Sequence, residues 1–221
     1  MNLYIVVEGK GGERILYPFW ISYVNSKLKK VSYIDEISDN CYYLISGNGY
    51  PQYLGIIDAA IEDVKDSGRF DQLVVAVDAE EYTFEEKRQE LVDHISGKIA
   101  LEKVKIIIQY PCLETWALGN RIVYRKHPQG NDLRRYLKLY DVRTKNPELL
   151  PANTEEGLNR CQFAYKYLKA IISERYDHLV YTKGNPKVLM HEKYFEQITK
   201  RLRETGHIAS FRGFMDCFGE K

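Results

Sequence analysis

The sequence opens with Met1-Asn2-Leu3-Tyr4-Ile5-Val6-Val7-Glu8-Gly9-Lys10-Gly11-Gly12-Glu13-Arg14, and this stretch decides the fold. Its apolar, β-branched part, Leu3 to Val7, predicts a strand that is buried on both faces of a parallel sheet. The run stops at Glu8, a glycine-rich loop follows, and the segment from Glu13 predicts a helix that packs back onto the strand. Because open α/β sheets bind ligands at the carboxyl ends of their strands, Glu8 is the first candidate site residue.

The composition disfavours several classes of protein but does not indicate a substrate. The 32 Lys and Arg nearly balance the 31 Asp and Glu, so net charge argues neither for nor against a nucleic-acid partner. The four cysteines form no Cys-x-x-Cys pair, which disfavours a zinc knuckle or a disulfide framework and fits a reducing cytoplasm. No apolar window of about 18 residues is present, and the chain enters a strand at once. We therefore expect a cytoplasmic protein with no membrane partner.

Four apolar segments predict strands, at residues 3–7, 40–45, 73–77 and 104–108, with helices between them. This alternation predicts an α/β fold: a mostly parallel four-stranded sheet, flanked by helices and joined by right-handed crossovers. Beyond residue 120 we expect helices at 155–175 and 194–203 and a short strand at 178–181. The chain thus divides into an α/β core at 1–120 and a mostly helical extension at 121–221, packed on the same domain.

Acidic side chains follow the predicted strands at the point where each strand ends. They are Glu8, Asp78, Glu80 and Glu114. If the strands are neighbours, these carboxylates converge and raise one another's pKa, and a divalent cation relieves the repulsion. Carboxylate oxygens together with a substrate phosphate are the ligands that Mg²⁺ prefers. The alternative is that each acid is a solvated loop residue or lies near a helix start.

Two of these segments carry a resemblance to a known family. Val6-Val7-Glu8-Gly9-Lys10 and Val75-Ala76-Val77-Asp78-Ala79-Glu80 resemble the motifs of the Toprim (topoisomerase–primase) domain, over roughly residues 1–118. The segment Pro111-Cys112-Leu113-Glu114-Thr115-Trp116 further resembles small stand-alone Toprim-like proteins of the OLD-nuclease and RloB-like type. Glu80 departs from the pattern, because the family usually has aspartate there.

The resemblance implies a Rossmannoid fold and a magnesium-dependent nuclease that cleaves phosphodiester bonds in DNA or RNA, with Mn²⁺ as a substitute. It implies acid/base work for Glu8 and metal binding by Asp78 and Glu80. Glu8 is then a general acid/base or a metal ligand. Glu114 is then a further metal ligand or the group that orients the attacking water. By analogy the setting is bacterial defence against mobile DNA, with a partner ATPase and a homodimer as further expectations. The alternative is a non-catalytic module that binds a partner protein or a nucleotide.

Basic residues supply candidate contacts to phosphate. Lys10 lies in a loop that lacks the full phosphate-loop pattern, so an NTPase site is not expected there, and a solvated lysine is the alternative. Lys183 and Lys187 flank Gly184-Asn185-Pro186, and the late lysine of OLD-type nucleases favours Lys183 as the catalytic cation. No histidine pair has metal-binding spacing, which disfavours a zinc hydrolase.

A basic stretch after residue 120 predicts a nucleic-acid surface. Its cations could track a phosphate backbone while interleaved tyrosines (Tyr124, Tyr136, Tyr140) stack on bases. The selected residues are Arg121, Arg125, Lys126, Arg134 and Arg135. The alternative is a solvated helix face, and the near-zero net charge of the chain does not decide between them.

Overall fold

A computed structural model describes residues 1–176 and 178–219 of the chain, which contain a five-stranded sheet. The strands are β1 (Leu3–Val7), β2 (Lys29–Val31), β3 (Cys41–Ser46), β4 (Gln72–Asp78) and β5 (Val104–Gln109). They lie in the order β2-β3-β1-β4-β5. β1 is central and every one of its residues is buried, as expected for a strand that is covered on both faces.

The pairing of the central strands is parallel. β1 pairs in parallel with β3, where Val7 lies beside Ser46, and with β4, where Val7 lies beside Ala76. β2 pairs in parallel with β3. Parallel neighbours end at the same edge of a sheet, so the prediction that β1 and β4 end at one edge is confirmed, as is the α/β fold class.

The described residues form eight α-helices. They are α1 (Gly12–Val24), α2 (Gln52–Ser67), α3 (Phe84–Ile95), α4 (Leu113–Ala117), α5 (Asn131–Leu139), α6 (Arg160–Arg175), α7 (Glu192–Thr205) and α8 (Phe211–Phe218). Helix α2 shows how the sequence specifies them: its buried residues recur at helical spacing, from Tyr53 through Ile57 and Ile61 to Val64. It stops at Gly68, whose φ of +59° is the left-handed conformation typical of a helix end.

The sheet has five strands, and the prediction of four was wrong. The additional strand, β2, has only three residues, Lys-Lys-Val, and both of its lysines are exposed. This segment was not among the four predicted strands because it has no apolar run. Charged residues in a very short strand are typical of a sheet edge, where they discourage pairing with another chain.

The later part of the chain also differs from the prediction. No strand forms at residues 178–181, where Leu179 and Val180 are exposed and lack the burial of a sheet strand. Helix α6 begins at Arg160 and not at 155, because Asn159 and Gln162 form a capping box at its start. Helix α7 extends the predicted 194–203 helix at both ends, and α8 was not predicted.

The chain divides into two compact units. The first contains Met1–Val77, Phe84–Ile108 and the residues from Gly213 onward, and the second contains Asp78–Thr83 and Gln109–Arg212. The division at residue 120 expected from the sequence differs from this one. The second unit is mainly helical, since it includes α4 to α7.

Each unit has an aromatic and aliphatic core of its own. In the first, the rings of Tyr17 and Phe214 meet edge to face with centroids 5.1 Å apart, and Trp20 contacts the same phenylalanine at 5.9 Å. In the second, Phe163 stacks on Tyr167 at 5.5 Å. None of the helices in the described part of the chain is long and apolar enough to cross a membrane.

Candidate functional site

Glu8 follows β1 in the first unit, and its backbone is held on both sides. Its amide N–H donates to the carbonyl oxygen of Ala76 at 2.9 Å, and its own carbonyl oxygen accepts from the amide of Gly49 at 2.9 Å. The residue is only 8% exposed. The sheet therefore fixes this acid at the carboxyl end of its central strand.

The loop after Glu8 holds an acid that the sequence analysis did not select. Glu13, in the first turn of α1, is buried, and its carboxylate packs against Gly9. A Cβ atom at position 9 would lie 1.9 Å from Glu13 Oε2, so a larger residue there would require the Glu13 carboxylate to move. Lys10, a candidate phosphate contact, is exposed in the same loop. The available signal was the spacing: an acid five residues after the strand-ending Glu8, across a run of glycines.

Asp78 ends β4, and its carboxylate binds the start of α4 in the second unit. Its Oδ1 accepts a hydrogen bond from the amide of Leu113 at 3.0 Å, and the residue is 7% exposed. The next residue, Ala79, donates its N–H to the carbonyl oxygen of Gln109 at 3.0 Å. These bonds hold Asp78 beside the segment that carries Glu114.

Glu80 is exposed, in contrast to Asp78, and lies in a tight turn. The amide of Tyr82 closes the turn by donating to the carbonyl oxygen of Ala79 at 3.1 Å, and the amide of Glu80 donates to Pro111 at 2.8 Å. Glu80 has a φ of +54°, a left-handed conformation that costs a non-glycine residue about 1–2 kcal/mol. The two acids of the Asp-x-Glu motif thus occupy different surroundings, one buried and one exposed.

Glu114 lies on the short helix α4 and is 2% exposed. Its Oε1 accepts a hydrogen bond from the hydroxyl of Tyr181 at 3.1 Å. Its Oε2 is buried and has no hydrogen-bond partner among the described residues. A buried acceptor that lacks a partner costs about 1–3 kcal/mol, and such an atom in a native fold calls for an explanation, for example an ion. Tyr181 could not be identified from the sequence, since it lies 67 residues from Glu114 and no local pattern marks it.

The two candidate lysines, Lys183 and Lys187, lie in different surroundings in the structure. Lys183 Nζ lies 4.0 Å from Glu114 Oε1, while 63% of its side chain remains exposed. Lys183 lies in a turn in which the amide of Asn185 donates to Thr182 at 2.9 Å. Lys187 lines a different cavity of about 390 Å³ in the same unit. Lys183 is therefore the lysine at the buried acids.

Cys112 precedes α4, and the pKa of its thiol responds to the negative charge of nearby carboxylates. Burial raises the pKa of its thiol well above the usual range, and the neighbouring Cys161 and the carboxylates of Glu114 and Asp78 raise it further. Both carboxylates therefore act on the same buried position. A thiol held in its neutral form in this way is inert as a nucleophile.

Within residues 1–176 and 178–219, no group of three or more His, Cys, Asp or Glu side chains is arranged to hold a metal ion. The structure thus brings Asp78 and Glu114 together around Cys112, but it does not assemble the four predicted acids into one such group. The unpartnered Oε2 of Glu114 fits a cation ligand, because two carboxylates with water and substrate oxygens suffice for Mg²⁺.

The basic stretch is partly neutralised by acids within the second unit. Arg121 forms an ion pair with Glu204, and Arg135 pairs with Asp132 at 3.1 Å and with Glu156. The remaining candidates are exposed or half-buried: Arg134 and Lys126 are exposed, and Arg125 is half-buried. A nucleic acid that binds here must compete with these acids for Arg121 and Arg135.

The tyrosines of this stretch do not form the expected stacking platform. Tyr124 and Tyr136 are 8% and 3% exposed, and the ring of Tyr136 packs against Phe163 with centroids 5.1 Å apart. Tyr140 donates its hydroxyl to the carbonyl oxygen of Asn146 at 2.8 Å. The expectation that Tyr124 and Tyr136 stack on bases was wrong, because both rings belong to the hydrophobic core.

A scan against protein-family models, a search of curated proteins and a search of solved structures each return no match.

Proposed function

We propose that the chain is a Toprim-type, magnesium-dependent nuclease that cleaves phosphodiester bonds in DNA or RNA. The observation that carries the proposal is Glu114, a buried carboxylate with one oxygen unpartnered, beside an exposed lysine and within one buried neighbourhood that also contains Asp78. A buried acid whose role is only to stabilise the fold would have donors for both oxygens.

Asp78 and Glu114 would hold the ion, and Glu80 would add a ligand from its exposed turn. When bound, Mg²⁺ lowers the pKa of a coordinated water and stabilises negative charge on a phosphoryl group. Mn²⁺ would substitute because it takes the same oxygen ligands.

Two other groups would act on the substrate. Glu8 keeps the acid/base role that the family resemblance implies, and its burial holds its position for proton transfer. The ammonium of Lys183 would neutralise a substrate phosphate, since most of its side chain is exposed while its charge is close to Glu114. Lys10 is a second exposed cation suited to phosphate contact.

The test of the metal is calorimetric titration of Mn²⁺ into the wild type and Glu114→Gln. We expect Glu114→Gln to bind Mn²⁺ at least tenfold more weakly, because one ligand loses its charge. Glu155→Gln is the matched control: it removes an exposed acid of the same unit and should leave the titration unchanged. Equal Mn²⁺ affinity in all three proteins would overturn the metal assignment.

A second candidate is a non-catalytic module that binds a nucleotide or a partner ATPase. It is favoured by one observation, that the described residues contain no ready group of three metal ligands. The distinguishing assay is cleavage of labelled single-stranded and duplex DNA and RNA in Mg²⁺ and in Mn²⁺. Binding without cleavage of any substrate would favour the module. The proposed setting in defence against mobile DNA, with a homodimer or an ATPase partner, follows only if cleavage is found.

A further inference from the structure

A cavity of about 450 Å³ in the first unit has a lining with the chemistry of an anion site. It lies at β2 and the carboxyl half of β3, with α1 contributing one residue. The side chains that matter here are two cations, Arg14 and Lys30, and four hydrogen-bonding groups, Ser32, Tyr43, Ser46 and Asn48. No Asp or Glu occurs among its lining residues in the described chain.

The two cations are close enough to affect each other. Burial lowers the pKa of Lys30, and the positive charge of Arg14 lowers it further. Neither side chain forms a hydrogen bond or an ion pair with another group in the described residues. Two like charges held together without a counter-charge repel each other, and a bound anion removes that repulsion.

Two acids on bordering elements, Glu36 and Glu13, do not line the cavity. Glu36 accepts hydrogen bonds from the backbone amides of Ser32 at 2.9 Å and Tyr33 at 3.2 Å. Glu13 packs against Gly9. The lining of the cavity is therefore basic and polar, while the carboxylate of Glu36 binds the backbone of one lining residue, Ser32.

Hydrogen bonds connect the cavity to the loop that follows Glu8. The hydroxyl of Ser46 donates to the carbonyl oxygen of Gly9 at 2.9 Å and accepts from the amide of Asn48 at 3.1 Å. In the sheet, Ser46 lies beside Val7, the residue before Glu8. β3 separates β2 from β1, and Val31 at the end of β2 lies beside Tyr43, three residues before Ser46. Two strand spacings across the sheet and three residues along it place the end of β2 about 14 Å from the end of β1.

We infer that the cavity between Arg14 and Lys30 binds a phosphate group. The second part of the inference rests on the proposed function: in a nucleic-acid substrate, this phosphate is one that flanks the phosphodiester beside Glu8. Arg121 and Arg135 of the basic stretch pair with acids, whereas neither Arg14 nor Lys30 has an acidic partner in the described part of the chain. A free nucleotide presents the same phosphate chemistry, so the test must distinguish the two sources.

The experiment measures binding of a fluorescent single-stranded oligonucleotide by anisotropy, in EDTA, over a range of salt concentrations. We expect Lys30→Gln and Arg14→Gln each to bind roughly tenfold more weakly. The slope of log affinity against log salt should fall by about 0.7, the value for one phosphate contact on a single strand. Lys29→Gln is the matched control, because Lys29 is the exposed neighbour in β2 and does not line the cavity. All three positions are exposed, and thermal unfolding verifies that the variants fold.

The same titration with unlabelled inorganic phosphate and a nucleoside monophosphate as competitors identifies the source. Competition only at millimolar concentrations indicates a nucleic-acid phosphate, and competition at micromolar nucleotide indicates a free nucleotide. If Lys29→Gln weakens binding as much as Lys30→Gln, or if neither Arg14→Gln nor Lys30→Gln weakens it, the phosphate site is refuted. The binding assay contains EDTA, so it does not depend on the metal site. If the wild type binds the oligonucleotide but cleaves no nucleic acid in Mg²⁺, the nuclease is refuted and the phosphate site is not. If the wild type cleaves, and Arg14→Gln and Lys30→Gln bind and cleave as well as it does, only the phosphate site is refuted.

Discussion

Two buried glutamates of the second unit differ in how their charge is satisfied. Glu148 is 5% exposed and accepts from the amides of Ala209 and Ser210, both at 2.8 Å, and from the Ser210 hydroxyl, so both of its oxygens are used. Glu114 is 2% exposed, but it has one hydroxyl donor, and its Oε2 has none. The fold thus provides donors for both carboxylate oxygens of Glu148 but for only one of Glu114. We interpret Glu148 as an acid that stabilises a turn and Glu114 as an acid that can bind a ligand.

The largest effect is expected on cleavage activity, at the acids proposed to bind the metal. Asp78→Ala removes the carboxylate that shares the surroundings of Cys112 with Glu114, and it should abolish metal-dependent cleavage. The measurement is cleavage of labelled nucleic acid in Mg²⁺ and in Mn²⁺. Full activity in Asp78→Ala would mean that the two buried acids do not form the metal site.

The second prediction compares the stabilities of the two glutamates directly. Glu148→Gln should lower the free energy of unfolding by about 3 kcal/mol, because an amide nitrogen would face backbone donors that now bind an anion. Glu114→Gln should change it by less than about 1 kcal/mol, since it removes a buried charge that has a single hydroxyl donor. Urea unfolding measures both variants. Equal losses would remove the distinction between them.

The third prediction concerns the acid of the central strand. Glu8→Gln preserves the shape of the side chain but removes the ionisable group, and it should reduce the cleavage rate about 10²-fold. Nucleic-acid affinity should hold, because removing a negative charge does not weaken attraction for phosphate. Glu114→Gln should fall between the wild type and this variant if Glu114 only orients water. A Glu8→Gln enzyme as fast as wild type would exclude acid/base work by this residue.

The smallest effect is the pH dependence of the satisfied glutamate. Burial raises the pKa of Glu148 above its ordinary value of 4.5, although hydrogen bonds from Ser210 and Ala209 oppose the rise. A raised folded-state pKa gives a contribution to stability that is full below pH 4.5 and is lost as the pH rises through the folded-state value. The stability advantage of the wild type over Glu148→Gln should therefore shrink as the pH rises from 4.5. An advantage that grows over this range would contradict the direction of the shift.

The sequence predicts the parts of the fold that local patterns encode. β1 and β4 are continuous apolar runs, and α2 repeats its buried residues at helical spacing, so each was recognised. β2 was missed because its residues, Lys-Lys-Val, pair with β3 without an apolar pattern. The helix α8 was missed for a related reason: its aromatic residues pack against Tyr17 and Trp20, nearly 200 positions earlier in the chain.

The candidate site shows the same limit. Glu8, Asp78 and Glu114 could be selected because each follows a predicted strand. Their partners could not, since Tyr181 reaches Glu114 from 67 positions away and Leu113 reaches Asp78 from 35. For residues 121–138 the sequence alone does not reveal which arginines pair with acids and which tyrosines are buried.

The contact of Phe214 with α1 has a consequence for the order in which the first unit folds. Its ring meets Tyr17 and Trp20, which lie nearly 200 positions earlier in the sequence. Closing so long a stretch of chain costs conformational entropy before the contact stabilises anything, so contacts of this kind slow folding. The apolar face of α1 therefore remains uncovered at this position until Phe214 arrives, and we expect the core of the first unit to complete its packing late in folding.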